Sequence, residues 1–263
     1  MEQKKEFRFI EQLRAERNII EGKDLKEAVG FIEDTIISQN SFSACLRLLC
    51  LLSLTHDGLP VKEYRNFVKL FLQSYGHEHI VTLFTLKRLG LFCEQQTQET
   101  IFSPGSSSSF SNKASAALMS SKMLSVFPSR SAFKSLVKRM NLIPPASTEG
   151  SYDLKNPSDA GFVFGGSYLP IVTRLLELLV FGSEPNPEDI LKLLPGDRLL
   201  THRIRDRDLS GKQPIVILVL FLGGVTFAEV SALRFLAKKK QFKVVIATTN
   251  VINGNQLIKQ AEK

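Results

Sequence analysis

The chain has 263 residues, 43% hydrophobic and 23% charged, a balance that excludes a wholly disordered or collagen-like polymer. Its longest uninterrupted apolar run, Ile215 to Leu222, is far short of the about 20 residues a membrane-spanning helix needs, and residues 1–17 are charged throughout without a secretory apolar core. The net charge of +8 is uneven: residues 1–99 hold 13 Lys/Arg against 14 Asp/Glu, whereas residues 100–148 hold 6 Lys/Arg and no acid. Three cysteines without paired spacing predict free thiols in a reducing, cytosolic-type compartment.

The first half reads as helices. Leu25, Val29, Ile32 and Ile36 make one helical face. The segment from Ser41, a candidate N-cap, to Thr55 is apolar nearly all round and predicts a buried helix. After the Asp57-Gly58 turn, Pro60 suits the first turn of a helix that runs to Tyr75 and stops at Gly76. A further helix ends at Gly90. His77-Glu78-His79 opens it; two histidines at i and i+2 do not share a helix face, so they predict a polar helix start rather than a metal site. These elements predict a helical bundle over roughly the first ninety residues.

Residues 103–125 are dominated by serine and predict a flexible insertion. Phe133, Leu136, Val137 and Met140 form a short amphipathic helix accompanied by Arg130, Lys134, Lys138 and Arg139, a set of cations that fits a solvated face or an anionic surface. A helix from Ser167 to Phe181 ends at Gly182, and a short one starts at Pro187. Arg198 to Lys212 reads as a charged loop. The run Ile215 to Leu222 lacks alternation, as expected of a strand buried on both faces of a parallel sheet. Gly223-Gly224 turns the chain, Thr226 and Glu229 predict a capping box, and a second strand lies at Phe242 to Thr249. Asn253 or Asn255 opens a last helix. The fold class is therefore mixed α+β: an N-terminal helical bundle, then a strand–helix–strand–helix segment of an incomplete parallel sheet. Two strands are too few for a stable parallel sheet, so the remainder is expected from elsewhere in a longer protein.

No enzyme is expected. The glycine turn after the first strand lacks both nucleotide-binding glycine motifs, no nucleophile, base and oxyanion donor assemble, and no cofactor or metal set is apparent. Cys45 and Cys50 lie on an apolar helix and read as buried thiols. The helices between Ser41 and Gly90 resemble the core of a winged-helix module, an alternative in which they serve protein contacts or DNA. With residues 1–99 at one negative unit and Lys87 and Arg88 alone at the end of the candidate recognition helix, protein contacts are favoured and no specific nucleic acid is expected.

The residues carry a resemblance as well. Phe221 to Leu236 (FLGGVTFAEVSALRFL), followed by VVIATTNVINGNQLI, resembles the C-terminal signature of the Sec-1/Munc-18-like (SM) family. Leu72 to Leu91 (LQSYGHEHIVTLFTLKRLGL) and Tyr152 to Pro170 (YDLKNPSDAGFVFGGSYLP) are similar to its vacuolar protein sorting-associated protein 33 branch; VKRMNLIPP favours the B form over the A form, while FLGGVTFAEV is shared with the A form. The resemblance implies the C-terminal part of an SM protein. Residues 1–99 would be the helical part of domain 3, 100–130 a low-complexity insertion, 131–159 a basic helix and linker, and 160–263 the C-terminal α/β portion of domain 2. It further implies a regulator of SNARE-mediated docking and fusion, cytoplasmic and peripheral on late endosome, lysosome or vacuole membranes through a tethering complex. The implied partners are SNARE proteins and a vacuolar protein sorting 16-type subunit or its B-form relative. The stretch matching the partner-binding part of the family's domain 3 spans Tyr75 to Ile80, and Tyr75, His77 and Ile80 are the candidate contacts. Ile80, Leu83, Phe84 and Leu89 fit an inward helical stripe as well as an outward contact.

Overall fold

The computed structural model describes residues 2–95, 131–144, 157, 159–161, 168–182, 186–194 and 215–262, with the side chains of 2–8 and 187 not described. The serine-rich segment 103–125 and the charged loop Arg198 to Lys212 lie outside these residues. The chain divides into two units, residues 1–131 with 258–263, and residues 132–257.

The first unit is helical: α1 (Glu2–Glu21), α2 (Leu25–Ile37), α3 (Phe42–Thr55), α4 (Val61–Tyr75) and α5 (Ile80–Arg88). Its core is apolar and well closed, with Ile19, Ile32, Ile36, Leu46, Leu49, Phe67, Phe71 and Phe92 buried. α3 is the central helix: Cys45, Leu46, Leu48, Leu49 and Leu52 are buried, as its continuous apolar sequence requires. Ser41 does stand at the N-cap of α3, but its hydroxyl makes no capping bond. α1 was not anticipated as a helix, because only Ala15 and Ile19 of its described residues turn fully inward while Phe9, Ile10 and Leu13 stay exposed. Ile258 and Ala261 complete the same core.

Two glycines here stand in opposite settings. Gly58 has φ +94°, and a Cβ there would stand 2.9 Å from the Glu94 and Gln95 backbone, where the Leu59 amide donates to the Cys93 carbonyl and the Leu59 carbonyl accepts from the Gln95 amide. Gly30 is the reverse case. It sits inside α2, where glycine costs about 1 kcal/mol relative to alanine, yet a Cβ would meet nothing within 4 Å.

The second unit contains α6 (Ala132–Met140), α7 (Ile171–Phe181), α8 (Pro187–Leu191), β1 (Val216–Phe221), α9 (Phe227–Lys240) and β2 (Lys243–Thr248), with α10 (Gly254–Ala261) beginning in it. β1 and β2 are parallel, with Val216 opposite Lys243 and Phe221 opposite Thr248. The predicted capping box is present: the Thr226 hydroxyl accepts from the Glu229 amide at 3.2 Å, and the Thr226 amide donates to the Glu229 carboxylate at 2.7 Å. Asn253, rather than Asn255, caps α10, accepting from the Gln256 amide at 2.9 Å.

Two expectations are corrected. The helix predicted from Ser167 begins only at Ile171, because Pro170 occupies the N-cap and restricts the residue before it to extended backbone. β1 is not buried on both faces. Ile217, Val219 and Phe221 pack with Val244 and Ile246 against Leu233, Leu236 and Ala237 of α9, whereas Val216, Leu218 and Leu220 are exposed. One layer of helices covers one face only, and the continuous apolar run reflects a second face that nothing among the described residues covers.

Candidate functional site

The stretch from Tyr75 to Ile80 is shaped by one backbone break. α4 is amphipathic and drives Phe67 and Phe71 into the core, then ends at Gly76 with φ +109° and ψ 152°, a conformation that side-chain-bearing residues rarely adopt. The chain makes a single 3-10 turn over His77–His79 and re-enters α5 at Ile80. The break puts Tyr75 and Ile80 on different kinds of surface.

Tyr75 faces inward. Its ring packs 4.7 Å from Phe71 and edge-on to Phe42 at 5.9 Å, and its hydroxyl donates to the Asn40 carbonyl at 2.7 Å. Burial pushes its phenol well above the ordinary range. His79 also turns to this aromatic cluster, 4.3 Å from the Phe42 ring. His77 is exposed beside the break.

α5 then decides which apolar side chains face out. Thr82, Leu83 and Leu86 are buried, while Ile80, Val81 and Phe84 are 56%, 66% and 63% exposed. His77, Ile80, Val81 and Phe84 follow at i, i+3, i+4 and i+7, one face of one helical path. Ile80 and Phe84 are therefore not part of the inward stripe, and Leu89 is exposed too. Val81 shares this exposed face and is not evident from the sequence, where Phe84 fits an inward stripe as well as an outward one. The missing signal was tertiary: with apolar residues on both sides of α5, periodicity alone does not say which stripe meets the core.

Of the neighbouring cations, Lys87 is engaged within the chain. Lys87 donates to Glu94 at 2.7 Å and lies over the Tyr64 ring, 5.3 Å from its centre. That leaves the end of α5 poorly furnished for phosphate contacts. In the second unit, the glycine turn before α9 meets a helix N-terminus already covered by the Glu229 carboxylate, which accepts from both the amide and the hydroxyl of Thr226 at 2.7 Å. Among the described residues no three of His, Cys, Asp and Glu gather to hold a metal ion, and no helix is long and apolar enough to cross a membrane.

Comparison with known proteins places this geometry in context. The Sec1 family profile matches residues 1–260. Vacuolar protein sorting-associated protein 33B of Homo sapiens is 38% identical over 260 residues, covering 98% of this chain and 42% of that protein. The vacuolar protein-sorting-associated protein 33 homolog of Arabidopsis thaliana is 32% identical over 266 residues, 95% of this chain and 38% of the relative. Vacuolar protein sorting-associated protein 33A of Rattus norvegicus is 30% identical over 254 residues, 94% of this chain and 36% of the relative. The chain thus spans less than half the length of these relatives.

Proposed function

The chain belongs to the Sec1 family, and from that premise we propose that it is the C-terminal part of an SM-type, non-enzymatic regulator of SNARE-mediated vesicle docking and fusion. The observation that carries this reading is the near-complete match to relatives named for vacuolar protein sorting. In it, residues 1–99 serve as the helical part of domain 3 and residues 160–263 as the C-terminal portion of domain 2. Residues 100–130 are a low-complexity insertion, and residues 131–159 a short basic helix and linker. The protein acts in endosome–lysosome or vacuole traffic as a subunit of a tethering complex, cytoplasmic and peripheral to the membrane through that complex.

The partner surface is the exposed face of His77 and Ile80, extended by Val81 and Phe84, and the partner is a vacuolar protein sorting 16-type subunit or its B-form relative. Three contiguous exposed apolar side chains on a short helix are what a protein contact buries at its centre. Tyr75 supports this face from beneath by fixing the end of α4.

The test is a pull-down of either partner by wild type, Ile80→Lys and Phe84→Asp, with circular dichroism beside it. A buried lysine or aspartate at the centre of the contact costs about 2 kcal/mol or more, on the order of 30-fold in affinity. Lost binding with an unchanged spectrum is the expected result, since both side chains already face solvent. Wild-type affinity in both variants would remove this face from the interface.

A further inference from the structure

On the first unit, away from α5, the seam between α1 and α2 opens into a groove of about 600 Å3 that adjoins a second hollow of about 330 Å3, the two sharing Glu11, Phe31 and Asp34. Its apolar surface comes from Phe9 on α1 and from Phe31 and Ile37 on α2, with Phe9 and Ile37 more than half exposed. Its charges are acidic: Glu11, Glu27 and Asp34, against the single described cation Arg14, which lies 4.0 Å from Glu27. Among the described residues neither Glu11 nor Asp34 is paired with a cation.

Gly30 supplies the second observation. It lines the smaller, adjoining hollow in the middle of α2, and the place its Cβ would take is open space. Neither a positive φ nor an intramolecular neighbour explains a glycine inside this helix. Along α2, Glu27, Gly30, Phe31, Asp34 and Ile37 follow at helical spacing, so the notch falls between an acidic side chain on either side and an aromatic floor.

We propose that this groove docks a basic amphipathic helix of a partner protein. An apolar side chain of that helix enters the notch over Gly30 and packs on Phe31 and Phe9, while its Lys or Arg side chains meet Glu11 and Asp34. Charge separates this occupant from the others. A nucleic acid would bring phosphates against carboxylates, and a second copy docking through the same groove would set one acidic rim against another.

The probe is a synthetic fluorescein-labelled peptide of three heptads with leucine at the core positions and lysine elsewhere, set against a counterpart carrying glutamate in place of lysine. Fluorescence anisotropy with the 263-residue chain at physiological salt is expected to give at least about tenfold tighter binding of the lysine peptide. Gly30→Leu fills the notch and is expected to lose about tenfold while the thermal midpoint holds or rises, because leucine is the better helix former. Should that variant fold poorly, Glu11→Lys with Asp34→Lys, both on the surface, tests the same groove through charge. Equal affinity for the two peptides, no binding of either, or binding of the lysine peptide indifferent to all these substitutions overturns the proposal. So does a concentration-dependent dimer that Gly30→Leu abolishes, which would give the groove to a second copy.

Discussion

The Tyr75 hydroxyl donates to the backbone carbonyl of Asn40 at 2.7 Å, tying the end of α4 to the turn between α2 and α3. A phenol has one proton, so the 3.0 Å contact between the same oxygen and Cys45 Sγ must run the other way, with the thiol donating. The residue is thus half-buried and acts as a structural pin at the end of α4.

Tyr75→Phe isolates this role. The ring stacking on Phe71 and Phe42 survives while the hydroxyl's bonds to Asn40 and Cys45 are lost. Urea unfolding is expected to lose about 1–2 kcal/mol, and partner capture at saturating concentration is expected to be unchanged. A Tyr75→Phe protein with wild-type stability and failed capture would instead make the hydroxyl a direct contact.

Thiol reactivity follows from burial. Burial pushes the Cys50 thiol up to about 12 and raises Cys45 as well. Cys93 is partly exposed. At pH 8 only about one Cys50 in ten thousand would be thiolate. Alkylation of the native protein is expected to modify Cys93 first, with Cys45 and Cys50 reacting only after denaturation. Mass spectrometry of labelled peptides checks the order, and fast native labelling of Cys50 would contradict the packing of α3.

Glu33 gives a pH dependence of defined sign. Burial, then the charges of Glu63 and Asp34, holds its carboxyl above the ordinary 4.5. The native state therefore binds this proton more tightly than the unfolded chain does. The resulting margin is full below 4.5 and is lost as pH rises through the raised value. Glu33→Gln, which can still accept from Asn66, is expected to be the more stable protein at pH 7 and to lose that advantage as pH falls through 4.5. Parallel denaturation series of the two proteins from pH 7 to pH 4 read this directly; a gap that widens on acidification would reverse the assignment.

The open sheet face predicts self-association. Leu218 and Val245 lie opposite each other in the β1–β2 register, and both are half exposed or more. Replacing both by threonine keeps β-branched or polar strand formers while removing apolar surface. Sedimentation velocity is expected to show less association than wild type, with an unchanged melting transition. A wild-type chain that is already a clean monomer would mean that this face does not drive association.

How much of this was legible depends on where the information sits. The capping box at Thr226 and Glu229, the stops at Gly76 and Gly90 and the burial of α3 are local, written in side-chain chemistry within a few residues. The start of α7 was misplaced because apolar periodicity continued through Pro170, whose ring and missing N–H decide the boundary. α1 was invisible because a helix that buries little more than Ala15 and Ile19 has no clear apolar stripe. At the candidate site, Tyr75, His77 and Ile80 were found as a segment, yet their division into an inward pin and an outward patch needed the break at Gly76 in three dimensions. The groove beside Gly30 is wholly tertiary: its walls belong to different helices, and an empty place leaves no mark in a sequence.

Ile258 and Ala261 fill the core formed by α1 to α5, although more than 160 residues separate them from Phe92, the nearest preceding member of that core among the described residues. During synthesis the five helices are complete long before their last packing partners exist. Until residues 258–261 have been made, a hydrophobic cleft stays open in an otherwise finished bundle, available to chaperones or to neighbouring nascent chains. A frameshift or nonsense codon anywhere between residues 96 and 258 would therefore be felt in the packing of α1 to α5. The early helices would be left marginally stable and recognisable to quality control as unfinished.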